Sequence, residues 1–159
     1  MAALDGVNQS RGYTTSKFTS WERKKESPSV QPTAKSINLS ISGPLYDVHY
    51  DYNAPTNSYN RVMAGKPHVD HRSGVQLSPK VVVALVMGYS KNGIYSVYQT
   101  SGQGEMFVFQ DGVMQKGTWK KGDSKSPFEF TSADGKKLAF NPGQTWVTLV
   151  ASPGAVSAQ

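Results

Sequence analysis

No cysteine occurs in the 159 residues. Disulfides, thiolate catalysis and cysteine-ligated zinc are therefore excluded. No apolar run approaches the ~18 residues that a membrane-crossing helix needs. Met1-Ala2-Ala3-Leu4 lacks the basic and apolar stretches of a signal peptide. Acidic residues are scarce, 11 against 17 Lys and Arg, which gives a net charge of +6. That balance admits anionic partners such as nucleic acid, anionic lipid or a wall polymer. The basic residues are scattered, however, with short clusters at Arg23-Lys24-Lys25, Lys120-Lys121 and Lys136-Lys137. Short runs of this kind are usually solvated surface. The chain carries no G-x-G-x-x-G, no G-x-x-x-x-G-K-[ST], no H-E-x-x-H and no G-x-S-x-G. Gly102-Gln103-Gly104 reads as a turn without the helix that a phosphate loop requires.

What is present points to β structure. Fifteen Gly and nine Pro supply many turns, and 8 Tyr, 6 Phe and 3 Trp supply a core. The length suits one domain. The stretch from Gly104 to Val150 sets the fold. Met106, Val108 and Gln110 alternate with Phe107 and Phe109, and Asp111-Gly112 leads into Val113–Trp119. Two β-type runs joined by Asp-Gly predict a hairpin with a type I′ turn. A second hairpin is expected from Phe128–Thr131 through Asp134-Gly135 to Leu138–Phe140. After a turn at Asn141-Pro142-Gly143, Thr145–Val150 reads as a closing strand with Trp146 in the core.

Residues 1–35 read as a polar lead-in with a short helix before Gly12. A helical turn is expected at Trp21–Glu26, and packing through Phe18 and Trp21. Residues 36–150 form the β domain. Ile37–Ile41 and Tyr46–Tyr52 alternate in polarity, and Ser58–Met63 is a shorter strand. Ala64–Ser78 is a loop. Val81–Met87 is apolar throughout and reads as a strand buried on both faces. Asn92-Gly93 predicts another hairpin, with Ile94–Tyr98 as its second strand. Residues 151–159 are expected to fray as a disordered tail. The fold class is mostly β: an antiparallel sheet folded as a barrel or sandwich, with minor short helices near the N-terminus.

The richest polar cluster is Tyr59, Arg61, His68, Asp70 and His71, beside Asp47, His49 and Asp51. Alternation puts Asp47, His49 and Asp51 on one face. Pairing of their strand with Ser58–Met63 is expected to bring Tyr59 and Arg61 near that row. Three chemistries fit. His68-Val69-Asp70-His71 suits a metal, although the pattern is short and no metal is expected. His68 oriented by Asp70 or Asp51, with Arg61 on an anion, suits acid–base catalysis, but no nucleophile stands out. Arg61 paired with a carboxylate would be purely structural. Tyr95, Tyr98, Phe107 and Phe109 interleave with basic residues as a stacking platform for single strands would; core and cross-strand pairing is the expectation, so nucleic acid is not the expected partner.

Tyr50-Asp51-Tyr52, Tyr59-Asn60-Arg61 and His68-Val69-Asp70 carry a resemblance. So do Gly112, Gly117-Thr118-Trp119-Lys120-Lys121, Gly135, Leu138 and Asn141-Pro142-Gly143-Gln144-Thr145-Trp146-Val147. Together they resemble the C-terminal domain of the YerB-like bacterial lipoproteins, a domain of unknown function. The resemblance runs from about Ser36 to Val150. Gly117-Thr118-Trp119 and Pro142-Gly143-Gln144-Thr145-Trp146 are its most specific parts. It implies export, lipid anchoring through an N-terminal cysteine outside this chain, and a preceding α/β domain. It implies no reaction and no cofactor. Tyr59, Arg61 and His68 fall on recurrent polar positions of the family.

The leading expectation is a non-enzymatic binding or interaction module of the bacterial cell envelope, outside the cytoplasm. A protein or an anionic envelope polymer would be its partner, and the membrane would be met only through the anchor. The ligand candidates are Tyr59, Arg61, His68, Asp70, His71, Asp51 and His49. One alternative is a hydrolase-like or metal-assisted enzyme acting on envelope material through Arg61, His68 and Asp70. Another is anion or nucleic-acid binding through the basic surface.

Overall fold

The computed structural model describes residues 2–12 and 20–159. A helix, α1 (Ala2–Ser10), precedes twelve strands. They are β1 (Ser36–Leu39), β2 (Val48–Asn53), β3 (Ser58–Met63), β4 (Lys66–Pro67), β5 (Val81–Val86) and β6 (Tyr89–Asn92). There follow β7 (Tyr95–Tyr98), β8 (Gly102–Gln110), β9 (Val113–Lys121), β10 (Glu129–Ser132), β11 (Thr145–Val150) and β12 (Val156–Ala158). One sheet runs β12-β1-β2-β3-β4 and a second runs β10-β9-β8-β5-β11, while β6 and β7 form a separate hairpin. The arrangement is sandwich-like and not a closed barrel.

The apolar alternation of the sequence explains the layers. Val82 and Ala84 of β5 and Phe107 and Phe109 of β8 face Ile37, Leu39, Val48, Tyr50 and Tyr59 of the first sheet. On the other face Val81, Val83, Leu85, Met106 and Val108 pack with Trp119, Phe130, Leu138 and Phe140. The second sheet is thus covered on both sides, so β5 needs no polar residue at all. The β8–β9 hairpin turns at Asp111 (φ 57°) and Gly112 (φ 75°), the left-handed pair that a type I′ turn demands.

Several elements depart from expectation. β11 pairs with β5 in parallel, from Thr145↔Val81 to Val150↔Val86, so the second sheet is mixed. β10 pairs with β9, and the expected Leu138–Phe140 arm contributes only isolated bonds, such as Leu138 N–H to Phe130 O at 2.9 Å. The Ala64–Ser78 loop contains β4, which turns back onto β3. Trp146 is half-buried and not a full core residue.

The chain ends behave differently from the sequence reading too. The tail does not fray: Val156–Ala158 pairs with β1. Trp21–Glu26 is extended and not helical, with Arg23 bridging Phe140 in parallel, and Trp21 packs edge-on against Phe130 and Phe140. Phe18 lies outside the described residues.

The lead-in is fastened by a buried polar node. Asp111 Oδ1 accepts from Asn57 Nδ2 (2.8 Å) and Asn141 Nδ2 (2.7 Å), and the Lys24 ammonium lies on Oδ2. Ser29 N–H donates to the Asp111 carbonyl at 2.9 Å. Asn57 Nδ2 also donates to Glu26, which takes Lys80 as an ion-pair partner. One carboxylate therefore joins the lead-in, the turn after β2, the β8–β9 turn and the approach to β11.

Candidate functional site

The β2–β3 register decides which candidates meet. Tyr50 lies opposite Arg61 and Tyr52 opposite Tyr59, while His49 lies opposite Val62 and Asp51 opposite Asn60. Residues directly opposite share a face. Tyr59 and Arg61 therefore point to the inner, aromatic face and do not join the His49 and Asp51 row, against expectation. On the outer face His49 bridges Asn38 Oδ1 and Asp51 Oδ1, each at 2.8 Å. Asp47 lies before β2, with Ser40 Oγ donating to it at 3.5 Å.

On the inner face Arg61 is 6% exposed. Its Nε donates to Tyr50 Oη at 3.2 Å. The guanidinium lies 4.6 Å from the Trp146 ring centroid and 5.8 Å from that of Tyr50. Nη1 bonds to His68 Nδ1. Arginine only donates, so His68 Nδ1 accepts and the ring hydrogen sits on Nε2. His68 meets Trp146 edge-on at 6.3 Å. Backbone bonds fix its place: His68 N–H donates to Arg61 O and Leu77 N–H to His68 O, each at 2.9 Å. Gln76 Nε2 caps the Arg61 carbonyl at 2.9 Å.

The remaining candidates fall away from this cluster. Asp70 is exposed, and its carboxylate accepts from Ser73 N, Ser73 Oγ and Arg72 N within its own loop. Those bonds, from Ser73 first, hold its carboxyl below the ordinary range. Asp70 does not bond to His68, and His71 is exposed. Among the described residues no three His, Asp or Glu side chains come together as a metal-ligand group.

Tyr59 is buried, and its Oη accepts from Gly112 N at 3.1 Å. Burial raises its pKa strongly. It is a strut beneath the β8–β9 turn. Tyr59→Phe should cost about 2 kcal/mol in denaturant unfolding, because it strands the Gly112 N–H.

The electrostatics of Arg61 are unusual. No carboxylate lies within ion-pair distance of it among the described residues. A buried charge without a partner is costly. Two aromatic faces and the Tyr50 oxygen offset that cost in part. Arg61 Nη2, His68 Nε2 and Trp146 Nε1 have no hydrogen-bond partner among the described residues. No sealed side-chain nitrogen or oxygen lacks one, so none of these three is fully enclosed. All three of these atoms are hydrogen-bond donors. Sequence reasoning missed Tyr50 and Trp146 as parts of the cluster: Tyr50 reads there only as one residue of an alternating strand, and Trp146 as core.

A protein-family model described as "Protein of unknown function (DUF3048) C-terminal domain" matches residues 37–147. The crystal structure of YerB protein from Bacillus subtilis matches with a TM-score of 0.76 at 18% identity, covering 98% of this chain and 52% of that one. At that identity the likeness is one of fold. This chain spans about half the length of that solved structure. No curated protein matches the sequence.

Proposed function

Because the chain belongs to the DUF3048 C-terminal domain family, whose function is unknown, we propose a binding role argued from its own side chains. It is a non-enzymatic interaction module that grips an anionic group of its partner at Arg61, His68 and Trp146. The observation that carries this reading is the buried Arg61 guanidinium without a carboxylate. A carboxylate or phosphate arriving there would receive the Arg61 Nη2 and His68 Nε2 hydrogens and supply the missing charge. Two partner classes offer such a group, an acidic protein segment and an anionic envelope polymer. The resemblance to lipoproteins supports an exported, lipid-anchored setting, and the net charge of +6 suits an anionic partner. Among the described residues no carboxylate orients His68 as acid–base chemistry would use it.

The test is NMR of the indole N–H signals during titration with sodium acetate and with inorganic phosphate, each against sodium chloride at equal ionic strength. The Trp146 signal should shift saturably, with the parent assigned by Trp146→Phe. Arg61→Gln should weaken the response at least tenfold, or about 1.4 kcal/mol. Equal shifts with chloride in parent and variant would sink the reading.

A further inference from the structure

β11 is the end strand of its sheet, and its six residues, Thr-Trp-Val-Thr-Leu-Val, contain no charge and no proline. Its pairing with β5 is unbroken, so it carries no bulge. Natural edge strands are normally guarded by lysine, proline, a bulge or brevity. The other ends of the two five-stranded sheets are guarded. β12 has three residues and β4 has two. β10 carries Glu129, and its outer side is occupied by Leu138 N–H to Phe130 O and Ser132 N–H to Lys136 O. The outward amides and carbonyls of β11 have no backbone partner among the described residues. Val147, in the middle of the strand, is exposed.

Charge identifies what suits this edge. Trp146 of β11 is the ring beneath the Arg61 guanidinium. At the start of the strand, Arg23 Nη1 donates to Thr145 Oγ1 at 3.3 Å and to Asn141 O at 2.9 Å, and Arg23 also lacks a carboxylate among the described residues. Two guanidinium groups without counter-ions among the described residues thus flank this edge. We infer that β11 receives an extended acidic segment of a partner protein as an added strand. Side chains of such a strand alternate between faces. One on the inner face, beside Trp146, brings its Asp or Glu carboxylate to Arg61 and His68. The inference rests on the anion grip proposed above and selects protein over polymer as its source.

The experiment uses an acetylated, amidated peptide, Ser-Thr-Val-Glu-Val-Thr-Ser, titrated into the isotope-labelled chain. Amide shifts should concentrate in Thr145–Val150 and the Trp146 indole. Glu to Gln in the peptide, or Arg61→Gln in the protein, should each weaken binding at least tenfold. Two peptides N-methylated on opposite sets of alternate residues separate ladder pairing from simple charge: one should bind and the other should not. Equal binding of both, shifts confined to other strands, or a dimer of the chain buried through β11 in sedimentation would each overturn the inference. A saturable acetate response at Trp146 without a peptide response would overturn the added strand and leave the grip standing. Silence to acetate and peptide alike would remove both.

Discussion

Asp111→Ala should destabilise the protein by about 4 kcal/mol, a loss read in urea unfolding. Removing one partner of a buried ion pair typically costs 3–5 kcal/mol, and here two further donors are stranded. Asp111 is 6% exposed and satisfies Lys24, Asn57 and Asn141 together. Alanine would also have to hold φ 57°, which adds about 1 kcal/mol for a residue with a Cβ and no local hydrogen bond. Asp111→Asn keeps the turn geometry and one acceptor oxygen, so its cost should be roughly half. The same node shapes the acid limb of stability. Burial pushes the Asp111 carboxyl up, but the bonds from Lys24, Asn57 and Asn141 outweigh it and hold the group below the ordinary range. The Asn57 bond, opposed by burial and helped by Lys80, lowers Glu26 in the same direction. A depressed carboxylate stabilises the fold above its unfolded value, about pH 4, and that contribution is lost as pH falls through the folded value. Asp111→Asn should therefore flatten the stability curve below about pH 4, and an unchanged curve would assign the acid limb to other groups.

That node also shows what was legible in the chain. Asp111-Gly112 announced its turn, because only a few residue types accept two consecutive left-handed conformations. Nothing in the sequence announced that the same aspartate would be buried under Lys24, 87 residues away. Alternation placed Phe107 and Phe109 opposite Met106 and Val108, and two separate cores hold them. Period two is a property of one strand, so it is readable from one strand. Pairing is a property of two, and there the reading lost force. The parallel match of β11 to β5 joins segments whose intervening chain builds three other strands of the sheet. The return of Val156–Ala158 to β1 has no local signal at all.

The candidate site divided for the same reason. Tyr59, Arg61, His49 and Asp51 were all visible as polar positions on neighbouring strands. Register alone decided that the first two face inward and the second two outward. His68 reached Arg61 because β4 folds back against β3 and its own N–H returns to the Arg61 carbonyl. Trp146 reached Arg61 from the other sheet. A residue named from the sequence as core thus became the aromatic plane over the inward-facing Arg61 of β3, and the family resemblance marks Arg61 and His68 without showing how they meet.

Trp119→Ala should be the largest single loss in the core, about 4 kcal/mol by denaturant unfolding, in the range usual for removing a buried large aromatic. The ring is 2% exposed and packs edge-on against Phe128 at 5.9 Å. Its Nε1 donates to Val86 O at 2.8 Å, which ties β9 to the end of β5 across β8. Space for the indole exists because Gly104 lies directly opposite it. A Cβ there would sit 2.7 Å from Trp119 Nε1 and 2.5 Å from Val86 O. Gly104→Ala should accordingly displace the indole from the Val86 carbonyl and cost on the order of 2–3 kcal/mol. Trp119→Phe separates the contributions: it keeps most of the apolar contact and loses the hydrogen bond, so roughly 1–2 kcal/mol is expected. If Trp119→Phe were as damaging as Trp119→Ala, the carbonyl bond and not the filled volume would dominate this corner of the sandwich. Because β11 pairs with the strand that Trp119 anchors, the variant should also broaden the Thr145–Val150 amide signals, linking the stability of this core to the order of the edge where the partner strand would add.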